Sequence, residues 1–203
     1  LEAEPPQTRT LKTLGTAAMG FGFAWLLGGS LGVCLIATVC AVIIDVVYNH
    51  FGPSDLDLWQ FDGWSENGKG GIYFFNDDRS STPWGDTRPD YGRAEVRQFI
   101  FDNAQSWLRD FHVDALRLDA VHALVDESAV HILEEIVANL EAAAERLGRR
   151  VVVVAESDRN DPKTVTDRGV GGTGGLGLHA QWADDVHHTW HVLLTGETQG
   201  YYA

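Results

Sequence analysis

Short apolar runs recur along the chain after residue 40, and each has the length of a strand. The runs "VIIDVV" at 42–47, "DALRL" at 114–118 and "RVVVVAE" at 150–156 are rich in apolar residues, most of them β-branched. Continuous apolar runs of this kind predict strands that are covered on both faces. A weaker run, "LHAQWAD" at 178–184, predicts a fourth strand.

Longer stretches between these runs have the three-to-four-residue spacing of amphipathic helices. Apolar residues at this spacing predict one helix over 93–111 and a second over 128–147, each with one buried face. Gly148 supplies a C-terminal stop for the second helix. We expect a third helix from about His187.

This alternation of strands and helices predicts an α/β fold with a parallel sheet and right-handed crossovers. An open doubly wound sheet and a (β/α)₈ barrel both fit the order of the elements. No turn of the type G-x-G-x-x-G follows a predicted strand, which argues against a dinucleotide-binding fold. Because a complete barrel takes roughly 250 residues, the four predicted strands would form a partial (β/α)₈ TIM barrel.

Residues 51–93 separate the first predicted strand from the first helix and show no regular period. They are rich in Gly, Asp, Ser, Pro and aromatic residues, which predicts a long loop or a small subdomain. Loops of that length within a compact domain usually have a function. We therefore expect a catalytic region over 41–203 that contains this loop.

Residues 1–40 form an atypical apolar, Gly-rich segment, and no charged residue occurs from Leu14 to Ile44. The length suits a bilayer span or, after Arg9 and Lys12, a secretory signal. Both interpretations conflict with the predicted strand at 41–50, because that strand would share its first residues with the membrane segment. A frame-shifted translation is a third possibility. We do not expect a membrane span here.

Composition narrows the classes of partner. The chain has 15 basic and 29 acidic side chains and a formal net charge of -14. Nucleic acids and anionic membranes need basic surfaces, so we expect neither as a partner. Cys34 and Cys40 lie in one apolar stretch, where they form neither a disulfide framework nor a zinc site. A reducing, cytoplasmic location is compatible with this cysteine content, and the sequence indicates no cofactor.

Polar side chains gather where each predicted strand ends. At the carboxyl ends of parallel strands, α/β folds carry their functional sites. One polar residue at such a position is ordinarily a cap or a loop anchor, but a series of strands with this ending favours a functional site. The residues are Asp45, Asn49, His50, Arg117, Asp119, His122, Glu156, Ser157, Asp158, Asp184, Asp185, His187 and His188.

Two carboxylates on neighbouring predicted strands, Asp119 and Glu156, suit the cleavage of a glycosidic bond. In a retaining hydrolase one carboxylate attacks the anomeric carbon, and the other protonates the leaving oxygen and later activates water. Arg117 lies on the same strand face as Asp119, where it would keep that nucleophile ionised. Glu156 must begin protonated, so we expect burial or a nearby negative charge to raise its pKa. His50 and His122 could bind sugar hydroxyls.

A metal site is the rival chemistry at the last predicted strand. Asp184, Asp185, His187 and His188 have the side chains of a ligand cluster. Adjacent residues on a helix diverge by about 100°, however, so the two histidines cannot easily share one ion. We expect no catalytic metal.

Three blocks of the sequence resemble signature blocks of the α-amylase superfamily, in the same order. They are "DVVYNH" at 45–50, "ALRLDAVH" at 115–122 and "VVAES" at 153–157. Within that superfamily the chain resembles malto-oligosyltrehalose trehalohydrolase. Further blocks carry this resemblance: "STPWG" (81–85), "LRLDAVHALVDESAVHILEEI" (116–136), "AESDRNDP" (155–162) and "HAQWADDVHHTWHVLLTGETQGYY" (179–202).

The resemblance implies a retaining hydrolase that cleaves the α-1,4 bond beside the terminal trehalose of malto-oligosyltrehalose. It assigns Asp119 as the nucleophile and Glu156 as the general acid/base. Matching positions imply that substrate contacts come from Asp45, Asn49, His50, Arg117 and His122. Asp158 and Asp185 lie in segments that would shape the trehalose-side subsites.

The chain departs from this family pattern in two respects. The resemblance implies that the chain holds roughly strands three to six of the barrel. The block that carries the family's third carboxylate is not found in the chain, and the segment before "DVVYNH" lacks the expected charged amphipathic helix. Three interpretations of the function therefore stay open: a trehalose-releasing hydrolase, a glucan branching enzyme or other α-amylase relative, and a non-catalytic truncated remnant.

We expect the purified 203-residue chain to have little or no hydrolase activity by itself, because the third carboxylate of the site is missing from it. The measurement is trehalose release from malto-oligosyltrehalose. Clear turnover of that substrate by the isolated chain would contradict this expectation.

Overall fold

The computed structural model describes residues 42–52, 63–66, 69–169 and 174–202. The chain divides into two units, Leu1–Val42 and Ile43–Ala203, and nearly all described residues belong to the second. The predictions for residues 1–40, including the membrane question, lie outside the described residues. Among the described residues, no helix has the length and apolar character needed to cross a membrane.

The order of the regular elements follows the predicted alternation. Strand β1 (Ile43–Val46) is followed by a hairpin of two short strands, β2 (Ser65–Glu66) and β3 (Lys69–Gly70). The remaining elements are α1 (Ala94–Arg109), β4 (Ala115–Leu118), α2 (Ile132–Arg146), β5 (Val152–Ser157), β6 (Ala180–Ala183) and α3 (Asp184–Thr195).

Within the described residues, four strands form one parallel sheet in the order β1-β4-β5-β6. The helix α1 connects β1 to β4, and α2 connects β4 to β5. This arrangement confirms the predicted α/β fold, part of a (β/α)₈ barrel. The pairing aligns Asp45 with Arg117 and Arg117 with Val154, so the polar strand ends meet at one edge of the sheet.

The two faces of the sheet differ in burial. One face packs against the helices through Val46, Leu116, Leu118, Val153 and Ala155, all of which are almost completely buried. The buried side chains that the helices contribute to this core are Val96, Ile100, Ala104 and Leu108 from α1 and Ile132, Ile136, Val137 and Leu140 from α2. The opposite face of the sheet carries the charged side chains, and Ile43 and Val152 are exposed on it.

Two helices begin at other residues than the sequence predicts. Helix α2 begins at Ile132 rather than Ser128, because the His131 ring accepts a hydrogen bond from the Leu133 amide and Asp126 accepts one from the Ile132 amide. Helix α3 begins at Asp184, earlier than predicted. As a result Asp184 follows directly on β6. Gly148, which has a φ of 61°, ends α2 as predicted.

The described part of the long loop is fastened to the segment that follows β1. The Phe51 amide donates to the Thr87 carbonyl at 3.1 Å, and the Thr87 hydroxyl donates to the Phe51 carbonyl at 2.7 Å. The Tyr91 hydroxyl is fully buried and donates to the Tyr48 carbonyl at 2.6 Å. These bonds hold residues 47–52 in place immediately beside the strand end.

Arg97 on α1 fixes the segment that leads from β4 to α2. Its guanidinium forms ion pairs with Asp126 at 2.8 Å and with Glu135 at 2.7 Å. It also donates to the carbonyls of Tyr91 and Val130 at 2.9 Å and 2.7 Å. The Asp126 side chain is completely buried, so its charge depends on these partners.

We expect R97A to lower the free energy of unfolding by about 3 kcal/mol, because the substitution leaves the buried Asp126 carboxylate without its cation. Urea denaturation of the chain measures the change. The matched control is R109A on the same helix, whose exposed pair with Asp110 should contribute little. An R97A variant as stable as R109A would contradict this account.

Candidate active site

The Arg117 guanidinium lies among three carboxylates that come from three neighbouring strands. Nη1 contacts the Asp45 carboxylate and lies 3.4 Å from Asp119 Oδ1. Nη2 lies 3.9 Å from Glu156 Oε2. The guanidinium also lies over the ring of Trp182, 5.5 Å from its centroid. One cation therefore balances the charges that β1, β4 and β5 direct to this face.

Asp119, the predicted nucleophile, is held through both its backbone and its side chain. Its amide donates to the Val46 carbonyl at 2.9 Å, which continues the pairing of β4 with β1. The fully buried Asn49 donates from Nδ2 to the Asp119 carbonyl at 2.9 Å and to Oδ2 at 3.4 Å. Asn49 and Arg117 both donate to this carboxyl group and so fix its orientation.

Glu156, the predicted acid/base, lies at the end of β5 and is 8% exposed. Its Oε2 accepts a hydrogen bond of 2.7 Å from the Ala120 amide, and Ala120 has a φ of 43°. Burial raises the pKa of Glu156 from 4.5 to about 7, and a hydrogen bond with the Asp184 side chain and its charge act in the same direction. The Ala120 amide and Arg117 lower that pKa. Near neutral pH this carboxyl group is thus about half protonated.

His50 lies beside Asn49 and stacks on Trp84. The His50 Nδ1 contacts Asn49 Oδ1, and the His50 and Trp84 rings are 4.9 Å apart at an angle of 10°. Burial lowers the pKa of His50 from 6.5, while the nearby Asp119 carboxylate acts in the opposite direction. The imidazole is therefore mainly neutral at pH 7. Its Nδ1 donates to Asn49 Oδ1, which leaves Nε2 to accept a hydrogen bond from a sugar hydroxyl.

The remaining predicted substrate-binding residues are His122, Asp158 and Asp185, which follow the carboxyl ends of the strands. His122 Nδ1 lies 3.7 Å from Asp158 Oδ1, and this nitrogen is buried without a hydrogen-bond partner among the described residues. Asp185 Oδ1 is likewise buried with no such partner in the described part of the chain. The structure thus brings His122 and Asp158 together. The substrate-binding roles of these three residues stay predictions.

Two site residues, Trp84 and Trp182, were not singled out by the sequence. Trp84 stacks on His50, and Trp182 lies beneath Arg117. Asp184 was named as a strand-end residue, but its interaction with Glu156 was not predicted. The alternation of β6 could have identified Trp182, because it shares a strand face with Ala180 and is paired with Glu156. Trp84 lies in the loop over 51–93, where no period indicates which residues approach the site.

Comparison with known proteins tests the family resemblance. No protein-family model matches the chain. Malto-oligosyltrehalose trehalohydrolase from Arthrobacter ramosus is 48% identical over 165 residues, which cover 80% of this chain and 26% of that protein. A 1,4-alpha-glucan branching enzyme from Oceanobacillus iheyensis is 31% identical over 181 residues, 74% of this chain and 27% of that enzyme.

A solved structure supports the same relationship. The crystal structure of an α-amylase candidate from Salmonella typhimurium superposes with a TM-score of 0.60 at 31% identity, over 84% of this chain and 26% of that one. The chain belongs to the α-amylase family. This confirms the resemblance and places the sheet β1-β4-β5-β6 within a family barrel. The chain spans about a quarter of the length of the relatives above.

Within an α-amylase family chain, the two carboxyl groups have the unlike environments that acid/base and nucleophilic roles require. Asp119 accepts hydrogen bonds from an amide and a guanidinium. Glu156 is largely withdrawn from solvent and shares a hydrogen bond with a second carboxyl group. A pair of carboxyl groups separated in this way by its surroundings can supply one anion and one acid at the same pH.

We expect E156Q to change the pH dependence of stability. The folded-state pKa of Glu156 lies above the unfolded-state value, so wild-type stability declines as pH rises from about 4.5 through about 7. A pKa raised from 4.5 to about 7 corresponds to a free-energy difference of about 3 kcal/mol. The stability of E156Q relative to wild type should therefore increase by about 3 kcal/mol between about pH 4 and pH 8.

Urea denaturation at several pH values measures this difference. The control is E145Q, which makes the same chemical change at an exposed position on α2. Parallel pH curves for wild type and E156Q would contradict the environment described for Glu156.

Proposed function

We propose that this chain carries the nucleophile and the general acid/base of a malto-oligosyltrehalose trehalohydrolase. The observation that supports the proposal is the contrast between Asp119, which accepts hydrogen bonds from Arg117 and Asn49, and the buried Glu156, whose pKa is raised to about 7. The name of the Arthrobacter ramosus relative supplies the substrate and the product.

The proposed reaction is a double displacement. Asp119 attacks the anomeric carbon of the glucose unit that the α-1,4 bond joins to trehalose. At the same time Glu156 gives its proton to the departing glycosidic oxygen. Trehalose leaves, and a glycosyl ester on Asp119 remains. Glu156, now a carboxylate, takes a proton from water, whose oxygen attacks the anomeric carbon and releases Asp119.

The surrounding residues support binding of an α-glucan. The exposed ring face of Trp84 and the neutral His50 offer stacking and hydrogen bonding to a sugar beside Asp119. We assign Asp45, Asn49 and Arg117 to holding the site together. His122, Asp158 and Asp185 are proposed to bind the trehalose side.

A glucan branching enzyme is the second candidate, because a branching enzyme from Oceanobacillus iheyensis is 31% identical to this chain. Such an enzyme would use the same two carboxyl groups, but a sugar hydroxyl would replace water in the second displacement. The higher identity to the trehalohydrolase favours hydrolysis. We further propose a cytoplasmic location, no cofactor and no nucleic-acid partner, in line with the acidic composition and the two cysteines.

A chimera tests the proposed function. Residues 42–203 replace the aligned stretch of the Arthrobacter ramosus enzyme, so that the other parts of a complete site come from a relative at 48% identity. We expect the chimera to release trehalose from malto-oligosyltrehalose. D119N should reduce kcat by roughly 10³-fold or more, and E156Q by roughly 10²–10⁴-fold.

D102N is the matched control, because Asp102 lies on α1 and bonds to Gln98 on the exposed face of that helix. It should leave kcat unchanged. A folded chimera that formed α-1,6 branches instead of free trehalose would favour the branching enzyme. A folded chimera with full activity in D119N would contradict the assignment of the nucleophile.

A further inference from the structure

Two carboxyl groups meet where β5 and β6 end. The pairing of these strands sets Glu156 opposite Trp182, and Asp184 follows directly on the end of β6, two residues beyond Trp182. The side chains of Glu156 and Asp184 form a hydrogen bond, and both are largely buried, at 10% and 18% exposure. Two carboxylates at hydrogen-bond distance repel each other, so the pair keeps a proton up to about pH 7.

The surroundings of the pair determine which oxygen keeps that proton. Asp184 is the first residue of α3, where the helix dipole favours an anion. Its Oδ1 lies 3.6 Å from the Nδ1 of His187, one turn farther along the same helix. The carboxyl group of Glu156 is the more buried of the two, and burial favours its neutral form. Burial and the interaction with Asp184 thus both favour the protonated form of Glu156.

Two further groups that face Glu156 come from β4 and from the second residue after it. Arg117 lies 3.9 Å from Oε2, and the Ala120 amide donates to the same oxygen at 2.7 Å. Both groups favour the carboxylate form of Glu156 and work against Asp184.

We propose that Asp184 is a positioning residue that holds the proton on Glu156 before the first displacement and raises the basicity of Glu156 for the second. This inference rests on the proposed function. When Glu156 gives its proton to the departing glycosidic oxygen, two carboxylates face each other across the former hydrogen bond. Their repulsion favours the return of a proton from water to Glu156, and the resulting hydroxide oxygen attacks the glycosyl ester on Asp119.

The experiment follows the Glu156 carboxyl group directly by NMR in the 203-residue chain, with ¹³C-labelled glutamate and with E156Q to identify the signal. We expect half-protonation close to pH 7 in the wild type. In D184N it should move down by about one pH unit or more, because the facing negative charge is lost. D102N, which removes the same charge far from the site, should leave the titration in place.

D184S is the second variant if D184N fails to fold, because serine also removes the charge at the first residue of α3. A folded D184N or D184S chain in which Glu156 titrates at the wild-type pH would overturn the proposal. This titration needs no turnover. A chimera that releases no trehalose would therefore contradict the proposed function alone, whereas an unmoved titration contradicts the role of Asp184 alone.

Discussion

The whole site depends on one guanidinium. Asp45, Asp119 and Glu156 come from three adjacent strands of one parallel sheet, and their mutual repulsion would separate the strand ends if nothing balanced it. Arg117 lies among all three, backed by the ring of Trp182. The Arg117 cation therefore contributes to the pairing of β1, β4 and β5 at their carboxyl ends, and it also holds the carboxyl groups of the site in place. A planar, permanently charged group with several donors suits this position better than an ammonium would.

The two carboxyl groups beside Arg117, Asp119 and Glu156, also lie in different surroundings. Asp119 receives donors from both Arg117 and Asn49, whereas Glu156 receives a backbone amide and faces another carboxyl group. The surroundings of Asp119 and Glu156 differ because their hydrogen-bond partners come from different strands, loops and helices. The long loop contributes too, because its bonds to residues 47–52 keep Asn49 and His50 beside the nucleophile.

The α/β order and most of the site could be predicted from the sequence, and the reasons are local. Buried strands and amphipathic helices have recognisable periods, and polar residues at strand ends must converge in a parallel sheet. The start of α2 could not be predicted, because it depends on the His131 ring and on Asp126, which is held by Arg97 on another helix. The pairing of Glu156 with Asp184 depends on where β6 ends and α3 begins, and no period in the sequence marks that residue. Trp84 reaches His50 through the fold of an irregular loop.

Ala120 links the two halves of the site through the backbone. It has a left-handed conformation, which an L-residue adopts at a cost of roughly 1–2 kcal/mol. In that conformation its amide reaches across to Glu156, directly after the residue that carries the opposing carboxylate. The spacing between Asp119 and Glu156 is therefore governed by one peptide unit and does not depend on side-chain rotamers alone. Any displacement of the residues after β4 would therefore alter the hydrogen bond of Glu156 together with the position of Asp119.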